Sequence, residues 1–187
     1  MLQIIFISTL IVSAFAQLTI LEMPNYTPMA NFDLSKFVGR WYEFARISNM
    51  YEPFHSCSVV DYRLLSNGTW DIQINSLSHL TGDVVHWSGQ GDPINQQSSQ
   101  LNIRFPQFAM QMKTTWSLLD TDYENFSVVL VIQNNNDASY LEYVWIMSKK
   151  PTLDEKYFTR AIDVLNANYI VTDQLEYIKQ DNCPGRF

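Results

Sequence analysis

The chain is short of charge, of basic residues above all, and of cysteine and histidine. Charged residues make up 17% of it, with 12 basic against 19 acidic side chains and a formal net charge of −7. The lysines and arginines form no stripe, which excludes a nucleic-acid backbone or an anionic membrane surface as partner, since clustered cations hold both. After the first residues no apolar run is long enough for a transmembrane segment. The three histidines, His55, His79 and His86, and the two cysteines, Cys57 and Cys183, fall at no spacing that builds a metal cluster. No nucleophile stands beside an activating base in an interpretable motif either. The sequence therefore predicts no catalytic residue, no metal and no required cofactor.

What is present begins with an apolar leader. Residues 1–16 end in Ala14-Phe15-Ala16, the small-x-small pattern of a signal-peptidase site, and the run from Leu2 to Val12 is too short to cross a bilayer. The expectation is a signal peptide over 1–16, a single domain over 17–187, and a secreted, extracellular product. Export gives meaning to three sequons, at Asn25, Asn67 and Asn125, as glycosylation sites on the surface. Pro28 directly follows the first and disfavours its use. An even cysteine count in an oxidising compartment favours one disulfide, Cys57 to Cys183, closing a long loop worth about 5 kcal/mol in the chain-entropy model.

Aromatic residues reach 14%, more than an average domain carries, and such an excess has to be buried. From Cys57 onward the chain alternates apolar and polar residues in short stretches broken by serine, asparagine and glycine, the pattern of antiparallel strands. Residues 58–65 lead into the hairpin turn Ser66-Asn67-Gly68, after which Trp70, Ile72 and Ile74 alternate with polar neighbours. Further strands follow with Val85 and Trp87; with Leu101, Ile103 and Phe105; and with Met112, Thr114, Trp116 and Leu118. Residues 126–133 and 140–148 add two more, joined by the polar loop Asn134-Asn135-Asn136-Asp137, and 41–47 completes eight. Eight antiparallel strands on short turns close an up-and-down barrel, an all-β fold without exposed edges; a β-sandwich is the alternative. One α-helix is predicted after Pro151, from the capping box Thr152-Leu153-Asp154-Glu155 and apolar residues at helical spacing, packed outside the barrel.

The segment Asn31-Phe32-Asp33-Leu34-Ser35-Lys36-Phe37-Val38-Gly39-Arg40-Trp41-Tyr42-Glu43 contains Gly-x-Trp-Tyr-Glu and resembles the first signature of the lipocalins. Thr121-Asp122-Tyr123 resembles the second. Where the third has an arginine over the signature tryptophan, this chain has Lys149, so Trp41 and Lys149 form the barrel floor the resemblance implies, by a cation–π contact without the fork of a guanidinium. Within the family the chain is similar to the apolipoprotein D and insect bilin-binding type, through those motifs, Thr121 to Asn125, Pro151-Thr152-Leu153 and the ending Asp181-Asn182-Cys183-Pro184. Members of that type commonly have two disulfides, and this chain matches only the Cys57–Cys183 bridge. The resemblance implies a guest such as a fatty acid, sterol or retinoid, or a bilin or carotenoid pigment.

With the alternating apolar faces turned inward, Tyr62, Trp70, Ile72, Ile74, Val85, Trp87, Leu101, Ile103, Phe105, Trp116, Phe126, Tyr143 and Trp145 line a ligand-binding cavity. Four inward tryptophans cannot readily interdigitate in a barrel of this size, so residual space walled by them suits one small hydrophobic ligand, lipid or pigment. Tyr62 and Tyr143 can offer it hydroxyls. Two alternatives stay within the fold: a haem carrier with a histidine as axial ligand, and a thiol-dependent protein using Cys57. A third is an interaction protein that acts through its rim. Met50, Tyr51, Pro53 and Phe54 make the loop over 48–55 apolar, and with the loop over 76–83 it would face a cell-surface receptor or a second copy of the chain.

Overall fold

Strands β2 (Gly39–Ile47), β3 (His55–Leu64), β4 (Trp70–Ser78), β5 (Val84–Pro93), β6 (Gln100–Arg104), β7 (Lys113–Thr121), β8 (Phe126–Asn134) and β9 (Tyr140–Ser148) each pair antiparallel with the next, and β9 returns to pair with β2. They are seen in a computed structural model that describes residues 19–95, 98–107, 113–135 and 139–185. The closing register sets Tyr42 opposite Ser148 and Arg46 opposite Trp145. This is the eight-stranded barrel the alternation predicts, and closure rules out the sandwich. Two short strands extend the sheet, β1 (Thr19–Ile20) beside β9 and β10 (Leu175–Tyr177) beside β2. The leader over 1–16, Met112 of the seventh strand and Asn136-Asp137 of the polar loop lie outside the described residues.

Side-chain parity divides the apolar residues into two cores. Inside the barrel Trp41, Val60, Tyr62, Trp70, Ile72, Leu101, Trp116, Val129, Val131 and Tyr143 pack together. Outside, Ala45, Phe126, Val128, Leu130, Ile132, Val144 and Ile146 pack under helix α2 (Glu155–Ala167), which contributes Ala161 and Leu165. Strand β8 reads as one unbroken apolar run because it is covered on both faces, by the interior and by the helix. Phe126 is thereby corrected: with Val129 and Val131 turned inward, it shares the outward face, stacks on Tyr157 at 5.9 Å and lies under the Arg160 guanidinium. Arg160 in turn holds Asp120 of β7 with both oxygens, at 2.7 and 2.9 Å, fixing the helix to the wall.

The start of α2 also differs from the expected capping box. Asp154, not Thr152, is the N-cap, and its carbonyl accepts from Tyr157 and Phe158 while its side chain makes no capping bond. Thr152 lies two residues before it in the turn after Pro151, too early for its hydroxyl to reach the first free amides.

One end of the barrel is plugged by a helix the sequence reading did not anticipate, α1 (Leu34–Phe37), capped by Asp33, whose carboxylate accepts from the Ser35 amide and hydroxyl. Phe37 is fully buried and stacks on Trp41 at 4.8 Å, and the Trp41 indole donates to the Phe37 carbonyl at 2.9 Å. The Tyr123 hydroxyl accepts from the Asp33 amide and its ring stacks on Phe32. The Lys149 ammonium sits 4.1 Å from the Trp41 ring and donates to the Val38 carbonyl. All three signature segments thus meet at this floor.

Burial lowers the Lys149 ammonium to about 8, from an ordinary 10.5. Between those values the unfolded chain keeps a proton that the folded protein has released, so this group makes stability rise with pH above 8. Lys149→Arg stays charged throughout. Urea unfolding at pH 7.5 and 9.5 should therefore show the original protein gaining on the variant by a few tenths to about 1 kcal/mol, below the full titration slope because the ammonium is half in solvent. A difference that does not change with pH would mean that the lysine is not desolvated.

The disulfide joins Cys57 of β3 to Cys183 across 126 residues, and no free thiol remains. The tail is laced down beside it: the Cys57 amide donates to the Lys179 carbonyl at 2.7 Å, and the Gln180 amide group donates to the carbonyls of Glu43 and Ser58, both at 2.9 Å.

Candidate functional site

Above the floor the barrel encloses a cavity of about 300 Å³, at the small end of ligand sites. Nine of the thirteen side chains expected to line it do so: Tyr62, Ile72, Ile74, Trp87, Ile103, Phe105, Trp116, Tyr143 and Trp145. Trp70 and Leu101 point inward but are fully buried in the packing around the floor, where Trp70 meets Phe37 and Tyr62. Val85, half-buried near the start of β5, is not in the lining, and Phe126 faces the helix. Alternation gives the face of a residue but not its height in the barrel, which separates wall from floor.

The wall over β5 is shaped by a missing side chain. Phe105 lies across Gly89, where a Cβ would come within 2.5 to 2.8 Å of the ring. Any larger residue there would push Phe105 from the cavity.

The lining also includes Thr114, on the alternating face of its strand, and Val60, Val129, Val131, Met147, Gln133 and two carboxylates, Glu43 and Glu52, which the alternation of apolar residues does not single out. Gln133 gathers the tyrosines: its carbonyl oxygen accepts from Tyr51 at 2.7 Å and from Tyr143 at 3.4 Å. The Tyr143 hydroxyl, expected to serve a ligand, is thus already engaged. Burial holds the Tyr62 hydroxyl well above the usual tyrosine range, so it stays protonated.

The arginine that pairs with these carboxylates is brought to their side by a bulge. Between Glu43 and Ala45 strand β2 slips its register against β9, so Phe44 is an extra residue and parity inverts beyond it. In a regular strand residues 43 and 46 face opposite ways. Here Arg46 reaches Glu43 at 3.0 Å, and both are almost wholly buried. The Arg46 guanidinium also meets Glu52 at 3.4 Å and Glu176 of β10 at 3.2 Å, and donates to the carbonyls of Glu52 and His55. The loop after β2 is therefore tied down over the cavity: Asn49 accepts from the amides of Tyr51 and Glu52, and the Trp145 indole donates to Glu52 at 3.3 Å. Desolvation, reinforced by the neighbouring Glu52 charge and opposed by Arg46, holds the Glu43 carboxyl well above the usual range.

None of the histidines lines the cavity. His55 bonds Ser76 at 2.9 Å, while His86 is exposed, as its parity predicts, beside Asn75 at 2.8 Å. A haem iron would find no imidazole there, and the disulfide removes the thiol that the second alternative needs. Among the described residues no group of acidic, histidine or cysteine side chains could hold a metal.

The fold and its motifs recur in known proteins. The model of the lipocalin-like domain matches residues 32–180. The chain is 31% identical over 164 residues to apolipoprotein D of Bos taurus, an alignment spanning 87% of this chain and 85% of that one. Among solved structures it is similar to insecticyanin of the tobacco hornworm Manduca sexta, with a TM-score of 0.70 and 17% identity over 89% of this chain and 90% of that one. Lobster apocrustacyanin A1 superposes with a TM-score of 0.69 and 18% identity, covering 80% of this chain and 81% of the other.

Proposed function

The chain belongs to the lipocalin family, and from that premise we propose that it is a secreted carrier holding one small hydrophobic molecule in its barrel. The observation that carries this reading is the cavity of about 300 Å³ walled mainly by indole, phenyl and aliphatic groups. Burying about 300 Å² of apolar ligand surface contributes roughly 7 kcal/mol before the costs of association, enough for a stable complex. Fatty acids, sterols, retinoids, carotenoids and bilins are the guests the reading admits. Secretion is supported by the leader over 1–16 and by the disulfide.

Organic extraction of the protein purified from its natural source, followed by mass spectrometry, tests carriage directly. A stoichiometric lipid or pigment is the expected result. A protein that yields none, and whose tryptophan emission is unchanged by retinol and by fatty acids, is not a carrier of this kind. Trp87→Ala should weaken retinol binding at least tenfold and lower stability less, because Trp87 lines the cavity and is only half-buried. Fluorescence titration alongside urea unfolding separates the two effects.

A rim contact is a second reading, favoured by the exposure of Met50, Phe54 and Leu80 at 61%, 52% and 66%. The Phe54 carbonyl accepts from His79, which draws the two loops into one apolar edge suited to a cell-surface receptor or a second copy of the chain. Concentration-dependent dimerisation, abolished in a Met50→Ser, Phe54→Ser variant, would support self-association. Of the sequons, Asn25 and Asn67 are exposed, whereas Asn125 is half-buried with its amide bonded to Asp122 at 2.7 Å. Glycans at Asn67 and not at Asn125 are therefore proposed.

A further inference from the structure

One wall of the cavity is acidic, and a purely apolar guest would leave it unused. Glu43 and Glu52 both line the cavity while being only 2% and 5% exposed. Glu52 Oε2 takes the Trp145 indole and the Arg46 guanidinium, but Oε1 is buried and accepts from no N–H or hydroxyl among the described residues. A guest that supplies an N–H donor there can replace the proton that Glu43 otherwise shares with Glu52. The charges are unequal as well: among the described residues Arg46 is the one lysine or arginine bonded to Glu43, Glu52 and the half-exposed Glu176, and His55, also within electrostatic reach of Glu52, is held toward its neutral form by burial. Arg46 itself lies behind the lining, and Arg104, the cation among the lining residues, is exposed and paired with Asp92 and Gln90. Beside the carboxylates three lining rings lie in a row, Tyr51 tilted against Tyr143 at 5.5 Å and Tyr143 stacked on Trp145 at 6.1 Å. Carboxylate oxygen next to electron-rich ring faces is the environment that holds an ammonium group.

We propose, resting on the carrier reading, that this cavity selects a guest with an apolar body and a protonated amine head, seated between the carboxyls of Glu43 and Glu52 and the rings of Tyr51, Tyr143 and Trp145. A carboxylate head at this wall would instead meet two acidic groups, while the buried indole N–H of Trp116 that could serve it lies with the rings of Phe37, Tyr62 and Trp70. A hydroxyl head could donate to Glu52 Oε1 but, being neutral, would leave the proton on Glu43. Without a cationic guest the site balances itself by retaining a proton on Glu43, favoured by burial and by the neighbouring Glu52 charge. An arriving ammonium takes over that role: its N–H groups bond the two carboxylates, and the Glu43 proton passes to the buffer.

Matched 12-carbon probes test the head group on the unmodified protein. Dodecylamine, 1-dodecanol and dodecanoic acid, each below its micelle concentration, are titrated at pH 7 by calorimetry in phosphate and in Tris. The expected order is amine at least tenfold tighter than alcohol, and acid weakest, with one amine bound per chain, displaced by retinol, and a proton released whose heat differs between the buffers. Glu52→Gln should bring the amine within threefold of the alcohol. If that variant does not fold, the ranking on the original chain still decides. Acid binding as tightly as amine overturns the head-group assignment and leaves carriage standing. Several amines per chain, not displaced by retinol, also overturn it, because the acidic surface is then the site. No binding of any probe, retinol included, removes the carrier reading and this one together.

Discussion

Replacing Arg46 with alanine should destabilise the protein by about 3 to 5 kcal/mol, the usual result of removing one member of a buried ion network. Arg46 is 1% exposed, and its guanidinium is the only cation bonded to Glu43, Glu52 and Glu176 among the described residues. It also anchors the loop after β2 through the carbonyls of Glu52 and His55. Without it two buried carboxyls face each other uncompensated, and one of them must take up a proton or open to water. For a domain of this length the loss corresponds to a fall of roughly 10 °C in Tm. It should be smaller at pH 5 than at pH 8, since protonation relieves the orphaned pair; for carboxyls whose folded value is raised, stability is present at low pH and lost as pH rises. The triple variant Arg46→Met, Glu43→Gln, Glu52→Gln removes charge from both sides and should recover most of the loss. Equal destabilisation of single and triple variants would show that the guanidinium acts through packing alone.

The same network marks where sequence reading stops. Period-two alternation located most of the barrel strands, because each of those has one face in the interior and one more exposed, and that difference in environment is written into the residue order. Strand β8, apolar on both faces, carries no such signal, and Phe126 was placed on the wrong side for that reason. The bulge at Phe44 leaves no mark either: Glu43, Phe44, Ala45 and Arg46 read as an ordinary strand with its charges on opposite faces, and only the slip against β9 turns Arg46 to the side of Glu43. Glu52 was hidden in a loop judged by its apolar neighbours. Helix α1, at four residues, is shorter than any periodicity can register, yet its Phe37 is what closes the barrel. The aromatic half of the cavity was therefore legible, and the polar half was not, because it depends on register and loop conformation more than on residue type.

Floor and cavity should separate under mutation, and Trp41 is the residue that tests it. Trp41→Ala removes a fully buried indole, its stack on Phe37 at 4.8 Å, its hydrogen bond to the Phe37 carbonyl and the surface under the Lys149 ammonium. Large-to-small changes of this kind cost about 3 to 5 kcal/mol, and more where the neighbours cannot collapse into the space. Collapse is restricted here, because Phe37 is wedged against Tyr62, Trp70 and Trp116 as well. Trp41 does not line the cavity. At a temperature where the variant is still folded, its retinol affinity should thus lie within about threefold of the original, the opposite of the Trp87→Ala result. Trp41→Phe keeps a stacked ring without the indole donor and should fall between, at about half the loss. Should Trp41→Ala, at equal folded fraction, lose as much affinity as Trp87→Ala, the plug would have to be counted as part of the binding site, and the cavity would extend through the floor that Phe37 and Lys149 close.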